Sequence, residues 1–272
     1  MTTPGETFLA ECRERVASYP ESPLSQVAAE FMTASALAQY SYNFSWMGRP
    51  IIQYPQDMVA MAELIWRIKP DLVIEAGIAH GGSLILSASM LAMLDYCDAV
   101  ESNTTLDPSA PKRQVLGIDI DIRAHNRAAI EAHPMSHRIQ MLEGSSISEE
   151  IVTQVHDIAS RFTTVLVCLD SNHTHEHVLG ELEAYAPLTS LGSYCVVFDT
   201  LVEDMPEDFL PNRPWSKGDN PKTAVWAYLE LLNKEGRTAK DGRPLALEVD
   251  EAIENKLLLT VAPNGFLYRP ES

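Results

Sequence analysis

Leu72-Val73-Ile74-Glu75-Ala76-Gly77-Ile78-Ala79-His80-Gly81-Gly82-Ser83 is the stretch that decides the fold of this 272-residue chain. Leu72, Val73 and Ile74 form a short apolar run of the kind that makes a buried strand, and the run ends at an acid and a glycine-rich turn. The segment after Ser83 (Leu84, Ile85, Leu86, Ala88, Met90, Leu91, Met93, Leu94) is apolar and long enough to be a helix packed on a sheet. Strand, turn and helix together predict a nucleotide-cofactor turn, in which backbone comes close to ligand because no Cβ intervenes. The spacing is E-x-G-x-x-x-G-G-S, unlike the G-x-G-x-x-G that wraps a pyrophosphate.

Working outward, strand and helix patterns alternate as they do in a parallel sheet covered on both faces. Strands are predicted at 72–75, 115–119, 138–142, 164–169 and 194–198, with a final hairpin pair near 245–250 and 256–261. Helices are predicted at 83–95, 123–132, 148–160, 174–185 and 221–235. On the N-terminal side, Phe8–Tyr19, Leu24–Tyr40 and Gln56–Lys69 have helical spacing, punctuated by Pro20, Pro23 and Pro70. Residues 98–113 form a polar insertion expected to be mobile. The simplest division is a helical arm over 1–55 and an α/β, Rossmann-like domain over 56–272.

Composition narrows the partners. Hydrophobic residues make up 46% of the chain, ample for a core, and 38 acidic against 20 basic residues give a net charge of −18. That charge argues against nucleic acid and against an anionic membrane surface. The four cysteines form no C-x-x-C pair, the N-terminus has no signal-peptide core, and no apolar run is expected to span a membrane. A cytoplasmic, disulfide-free protein is the expectation, and the helical arm hints at a homo-oligomer.

An acid beside the glycine turn suits a cofactor carrying positive charge, and S-adenosylmethionine, a sulfonium with an amino-acid tail, fits. Glu75, Gly77, Gly81, Gly82 and Ser83 are then the candidates for its methionine end. Asp119, at the tip of Gly117-Ile118-Asp119, is the candidate for the ribose hydroxyls, and Ser146 for the neighbourhood of the adenine. Val165–Leu169 delivers Asp170-Ser171-Asn172-His173 at its carboxyl end, and Tyr194–Phe198 delivers Asp199 at the equivalent edge. Two carboxylates on adjacent strand tips repel unless a cation or proton separates them, and hard oxygen ligands suit Mg²⁺. Asp170 is therefore a candidate for both cofactor and metal, Asp199 for the metal, and His173 for a general base. Asp170, His173 and His177 are an alternative set, the two histidines and one carboxylate of a non-haem iron hydroxylase. Trp215, in the long Pro-rich acidic stretch Thr200–Asn220, is a candidate substrate contact, as are Trp46 and Tyr54, with Gln53 beside them.

From Trp46-Met47-Gly48-Arg49-Pro50 to the C-terminus the chain resembles the cephalosporin hydroxylase/rhamnosyl O-methyltransferase family. The resemblance rests on Lys69-Pro70, Ile74-Glu75-Ala76-Gly77, Gly81-Gly82-Ser83, Gly117-Ile118-Asp119, Asp170-Ser171-Asn172-His173, Glu176-His177-Val178, Tyr185-Ala186-Pro187-Leu188, Val197-Phe198-Asp199-Thr200 and Asn264-Gly265-Phe266-Leu267, in that order. It implies a class I methyltransferase fold with a seven-stranded sheet ending in an antiparallel hairpin, and divalent-metal dependence. By position it implies Asp170 and Asp199 as metal ligands and His173 as base. The chain departs at Phe198, where many relatives place Glu. The expected function is an O-methyltransferase acting on a hydroxyl of a small natural product, such as a rhamnose-type deoxysugar. The alternatives are the iron hydroxylase and a non-catalytic scaffold that binds S-adenosylmethionine.

Overall fold

The computed structural model describes residues 3–207, 209 and 211–271; Asp208, in the Pro-rich stretch, lies outside them. Helices α1 (Pro4–Ser18) and α2 (Pro23–Leu37) come first, then the small antiparallel pair β1 (Phe44–Trp46) and β2 (Arg49–Ile51), then α3 (Pro55–Ile68). Alternation follows: β3 (Leu72–Ala76), α4 (Gly82–Ser102), β4 (Gln114–Asp119), α5 (Ala124–Glu131), β5 (Ile139–Glu143), α6 (Glu149–Ala159), β6 (Val165–Leu169), α7 (His175–Tyr185), β7 (Tyr194–Val197) and α8 (Pro221–Glu235). The chain closes with β8 (Glu248–Val249), α9 (Glu251–Leu257) and β9 (Phe266–Tyr268). The sheet has seven strands in the order β5-β4-β3-β6-β7-β9-β8, parallel except where β9 runs against both β7 and β8.

Strand order reverses between β3 and β6, so the crevice of this sheet opens at their carboxyl ends. All residues of β3, β6 and β7 are buried, as expected for strands with helices on both faces. Two apolar clusters fill the layers: one joins α3 and α4 to the sheet through Leu64, Ile65, Leu84 and Leu91, and the other joins α6, α7 and α8 through Val155, Leu182 and Tyr228.

Three expectations need correction. Residues 256–261 are not a strand. The Asp250 side chain accepts from the amides of Ala252 and Ile253 and caps α9, whose Ile253 and Leu257 bury one helix face; the hairpin's second strand is β9. The polar insertion begins later than its composition suggested, because α4 continues to Ser102 and Arg113 is ion-paired to Asp95 and Asp98. Finally, α4 is itself long and apolar enough to cross a membrane by length and composition, although half of that stretch is buried within the fold.

Candidate active site

The glycine turn between β3 and α4 is pressed between two backbone segments, which explains its composition. Gly77 has φ +96°, and a Cβ there would lie 1.9 Å from the Asp170 carbonyl oxygen at the tip of β6. A Cβ on Gly82 would lie 2.3 Å from the Pro50 carbonyl oxygen in β2. Gly81, also left-handed at φ +82°, meets only the Ile130 side chain. Arg49 and Asn126 clasp the turn from outside: Arg49 donates to the His80 carbonyl, and Asn126 donates to the Ala79 carbonyl at 2.9 Å. Asp119 braces it from β4, its Oδ2 accepting the amides of Ile78 at 2.8 Å and Ala79 at 3.2 Å. Ser83 Oγ donates to Glu75 Oε1.

A cavity of about 290 Å³ opens beside this turn, lined by Gly77, Ala79, Ile118, Asp119, Ile120, Ser145, Ser146, Asp170, Ser171, Asn172, His177 and Trp215. It is the crevice that the strand order locates, and it gathers the sequence candidates Gly77, Asp119, Ser146, Asp170 and Trp215. Glu75 and Ser83 lie behind it, in a smaller space under Gln53, Asp170 and Phe198. Gln53 Nε2 donates to Asp170 Oδ2 at 3.0 Å and so ties the segment before α3 to β6.

At the crevice edge, Asp170, His173 and Asp199 bring one ligand atom each within 4.8 Å of one another. His173 Nδ1 lies 3.1 Å from Asp199 Oδ2, and its Nε2 lies 3.5 Å from Asp170 Oδ1. That Nε2 is buried without a hydrogen-bond partner among the described residues. Two facing carboxylates lack a counter-cation, so Asp170 and Asp199 fit a hard divalent metal, and the imidazole Nε2 between them is left unclaimed. Phe198 is buried beside them and offers no oxygen.

The alternative iron set does not assemble. His177 Nε2 is directed to Ser146 Oγ at 2.9 Å and to Glu181 Oε1 at 3.4 Å, while His175 Nδ1 meets Thr223 Oγ1 at 2.8 Å. Trp215 packs edge-on against His173, ring centroids 4.8 Å apart, and carries Arg213 over its outer face. Its stretch is tied down: Glu203 accepts from the Gly218 amide and from Asn220 Nδ2, and Lys222 pairs with Asp204. Two proposed substrate contacts lie elsewhere. Tyr54 is 2% exposed with its hydroxyl against Ser35 of α2, and Trp46 Nε1 donates to Ser89 of α4. Both fasten the N-terminal segment to the core. Glu181, fully buried under the cavity, was missed by the sequence reading. Its signal was an acid among the apolar positions Val178, Leu182 and Tyr185, one turn after His177.

Electrostatics here favour protons in the unliganded protein. Burial pushes Glu75 up to about 8, Asp57 on α3 up to about 7 and Asp170 up to about 6. Burial pulls His173 down, but Asp199 and Asp170 outweigh it and hold the ring at about 9. All four bind protons more tightly folded than unfolded, so their contribution to stability is complete below about pH 4 and is lost as pH rises towards 9. The thermal midpoint is therefore expected to fall across that range. Asp57→Asn, which can keep its carbonyl oxygen on the Val261 amide and turn its amide nitrogen to Thr260 Oγ1 as donor, should flatten the part between pH 4 and 7. A midpoint that rises steadily across the range would contradict these shifts.

A seven-stranded sheet in this order, with a glycine turn after its central first strand and acids at the neighbouring tips, is the class I methyltransferase fold. The chain belongs to the rhamnosyl O-methyltransferase/CmcI family, whose model matches residues 38–270, and is by class an S-adenosylmethionine-dependent O-methyltransferase. Rhamnosyl O-methyltransferases of Mycobacterium tuberculosis and Mycobacterium bovis are 28% identical to it over 230 residues, covering 83% of this chain and 78% of theirs. That of Mycobacterium leprae is 27% identical over 226 residues, covering 83% and 82%. Among solved structures, the apo form of CmcI-N160 aligns with 85% of this chain and 78% of its own, at a TM-score of 0.53 and 15% identity.

Proposed function

We propose that the protein transfers a methyl group from S-adenosylmethionine to a hydroxyl of a rhamnose-type deoxysugar on a small natural product, with Mg²⁺ at Asp170 and Asp199. The observation that carries this reading is the convergence of Asp170, His173 and Asp199 beside the cavity that the glycine turn opens. The curated mycobacterial relatives support the sugar acceptor. Residues 56–272 hold the chemistry, and the arm over 1–55 contributes Gln53, which orients Asp170.

Glu75, Gly77, Gly81, Gly82 and Ser83 receive the methionine end of the donor, and Asp119 fixes the turn while presenting its carboxylate to the ribose. The donor, when bound, supplies an electrophilic methyl on a sulfonium. A divalent cation on Asp170 and Asp199 would supply positive charge to an acceptor oxygen. His173 takes the acceptor hydroxyl's proton on its Nε2, the nitrogen left without a partner. In the unliganded protein the two aspartates keep that ring protonated; satisfying their charge leaves the imidazole free to act as a base. Trp215 covers one side of the ring and narrows access for water. Much of the acceleration in such a site comes from aligning acceptor oxygen, methyl and leaving sulfur.

Incubation with S-adenosylmethionine, Mg²⁺ and either nucleotide-linked rhamnose or a rhamnosyl glycoside tests the reading by mass spectrometry. The expected result is a sugar heavier by one methyl-for-hydrogen exchange. Transfer to neither acceptor would contradict the sugar assignment.

A further inference from the structure

We propose that Glu181 sets the hydrogen-bond polarity of the cavity wall so that the site selects a 6-amino purine and rejects a 6-oxo purine; this rests on the S-adenosyl reading above. Glu181 sits on α7 with no exposed surface, and no Lys or Arg pairs with it among the described residues. Its Oε1 accepts from Ser146 Oγ and from Ser171 Oγ, each at 2.5 Å, joining the ends of β5 and β6 to α7. A hydroxyl carries one hydrogen, so both serines have spent theirs on the carboxylate and keep only lone pairs for anything else. With that hydrogen spent, Ser146 Oγ is the acceptor towards His177 Nε2, 2.9 Å away.

Ser146 and Ser171 both line the cavity, as do the apolar Ile118 and Ile120. The serine face of the wall therefore accepts hydrogen bonds and does not donate them. An exocyclic amino group offers two donors to such a wall, whereas a carbonyl in its place sets acceptor against acceptor and strands buried polar groups. A site built for a hydrogen bond rejects the analogue that cannot make it far more strongly than it rejects a change of size. Glu181 touches no ligand in this account. It is a positioning residue, acting through the two serines.

The test is calorimetric titration of S-adenosylhomocysteine and S-inosylhomocysteine into the wild-type protein, Glu181→Gln and Ser171→Ala. Wild type should prefer the adenosyl compound by about a hundredfold or more. Glu181→Gln can donate its amide hydrogens to the serines and release their hydroxyl hydrogens to the cavity, so the ratio should fall to about tenfold or less. A purely structural role would weaken both ligands alike and leave the ratio unmoved. Ser171→Ala, which keeps Glu181 and removes one acceptor, should also lower the ratio and serves if the glutamine variant does not fold. Equal wild-type affinities, or an unchanged ratio in a folded variant, would overturn the proposal alone. Binding of neither compound to wild type would overturn the S-adenosyl reading and this proposal with it.

Discussion

Replacing His173 with alanine is expected to lower kcat for methyl transfer by about 10²–10⁴-fold, the range for loss of a positioned general base, while affinity for S-adenosylhomocysteine stays within about twofold. The separation follows from geometry. His173 faces Asp170 and Asp199 and touches Trp215, and it is absent from the lining of the cavity assigned to the donor. The same variant removes the group the aspartates keep protonated, so the rate that remains should lose its dependence on pH above neutrality. Turnover equal to wild type would remove His173 from proton transfer and leave the two aspartates to explain the chemistry without it.

Gly77→Ala should be the most damaging substitution in the turn. The added Cβ would sit 1.9 Å from the Asp170 carbonyl oxygen, a backbone atom, at a φ that disfavours any L side chain. Relief requires β3 and β6 to part at the tips that hold the site. Destabilisation of about 2–4 kcal/mol is expected, with cofactor affinity reduced about a hundredfold or more in whatever protein remains folded. Gly81→Ala is the control: it shares the left-handed backbone, but its new Cβ meets the movable Ile130 side chain. Equal effects of the two would show that backbone strain alone, rather than contact with β6, governs the turn.

The strands that form the crevice were legible because their sequences carry two signals at once. Leu72–Ile74 and Val165–Leu169 are uninterrupted apolar runs, which doubly covered strands need, and each ends at an acid, Glu75 and Asp170. Asp170, His173 and Asp199 could be read from that edge without knowing any contact. The C-terminal hairpin could not. Leu257-Leu258-Leu259-Thr260-Val261 reads as a strand, but the cap at Asp250 starts a helix into its front half, Leu258 turns left-handed at φ +59°, and Thr260 and Val261 are used to hold Asp57. Local capping and a buried carboxylate won over β propensity there.

Aromatic residues were the least legible part of the site. Tyr54 and Trp46 both lie in the stretch between α2 and α3 and look alike as candidate contacts, yet their partners, Ser35 and Ser89, are set by the docking of α2 and α4. Glu181 shows the opposite failure. Its oddness was local and visible, but its meaning depends on Ser146, 35 residues away across the end of the sheet.

The most direct test is one titration, S-adenosylhomocysteine into the protein by calorimetry, with and without Mg²⁺. Saturable binding of one molecule per chain is expected, with an additional Mg²⁺-dependent heat that Asp170→Asn abolishes. No binding under either condition would contradict the assignment of the glycine turn to a sulfonium donor, and with it the function built around Asp170, His173 and Asp199.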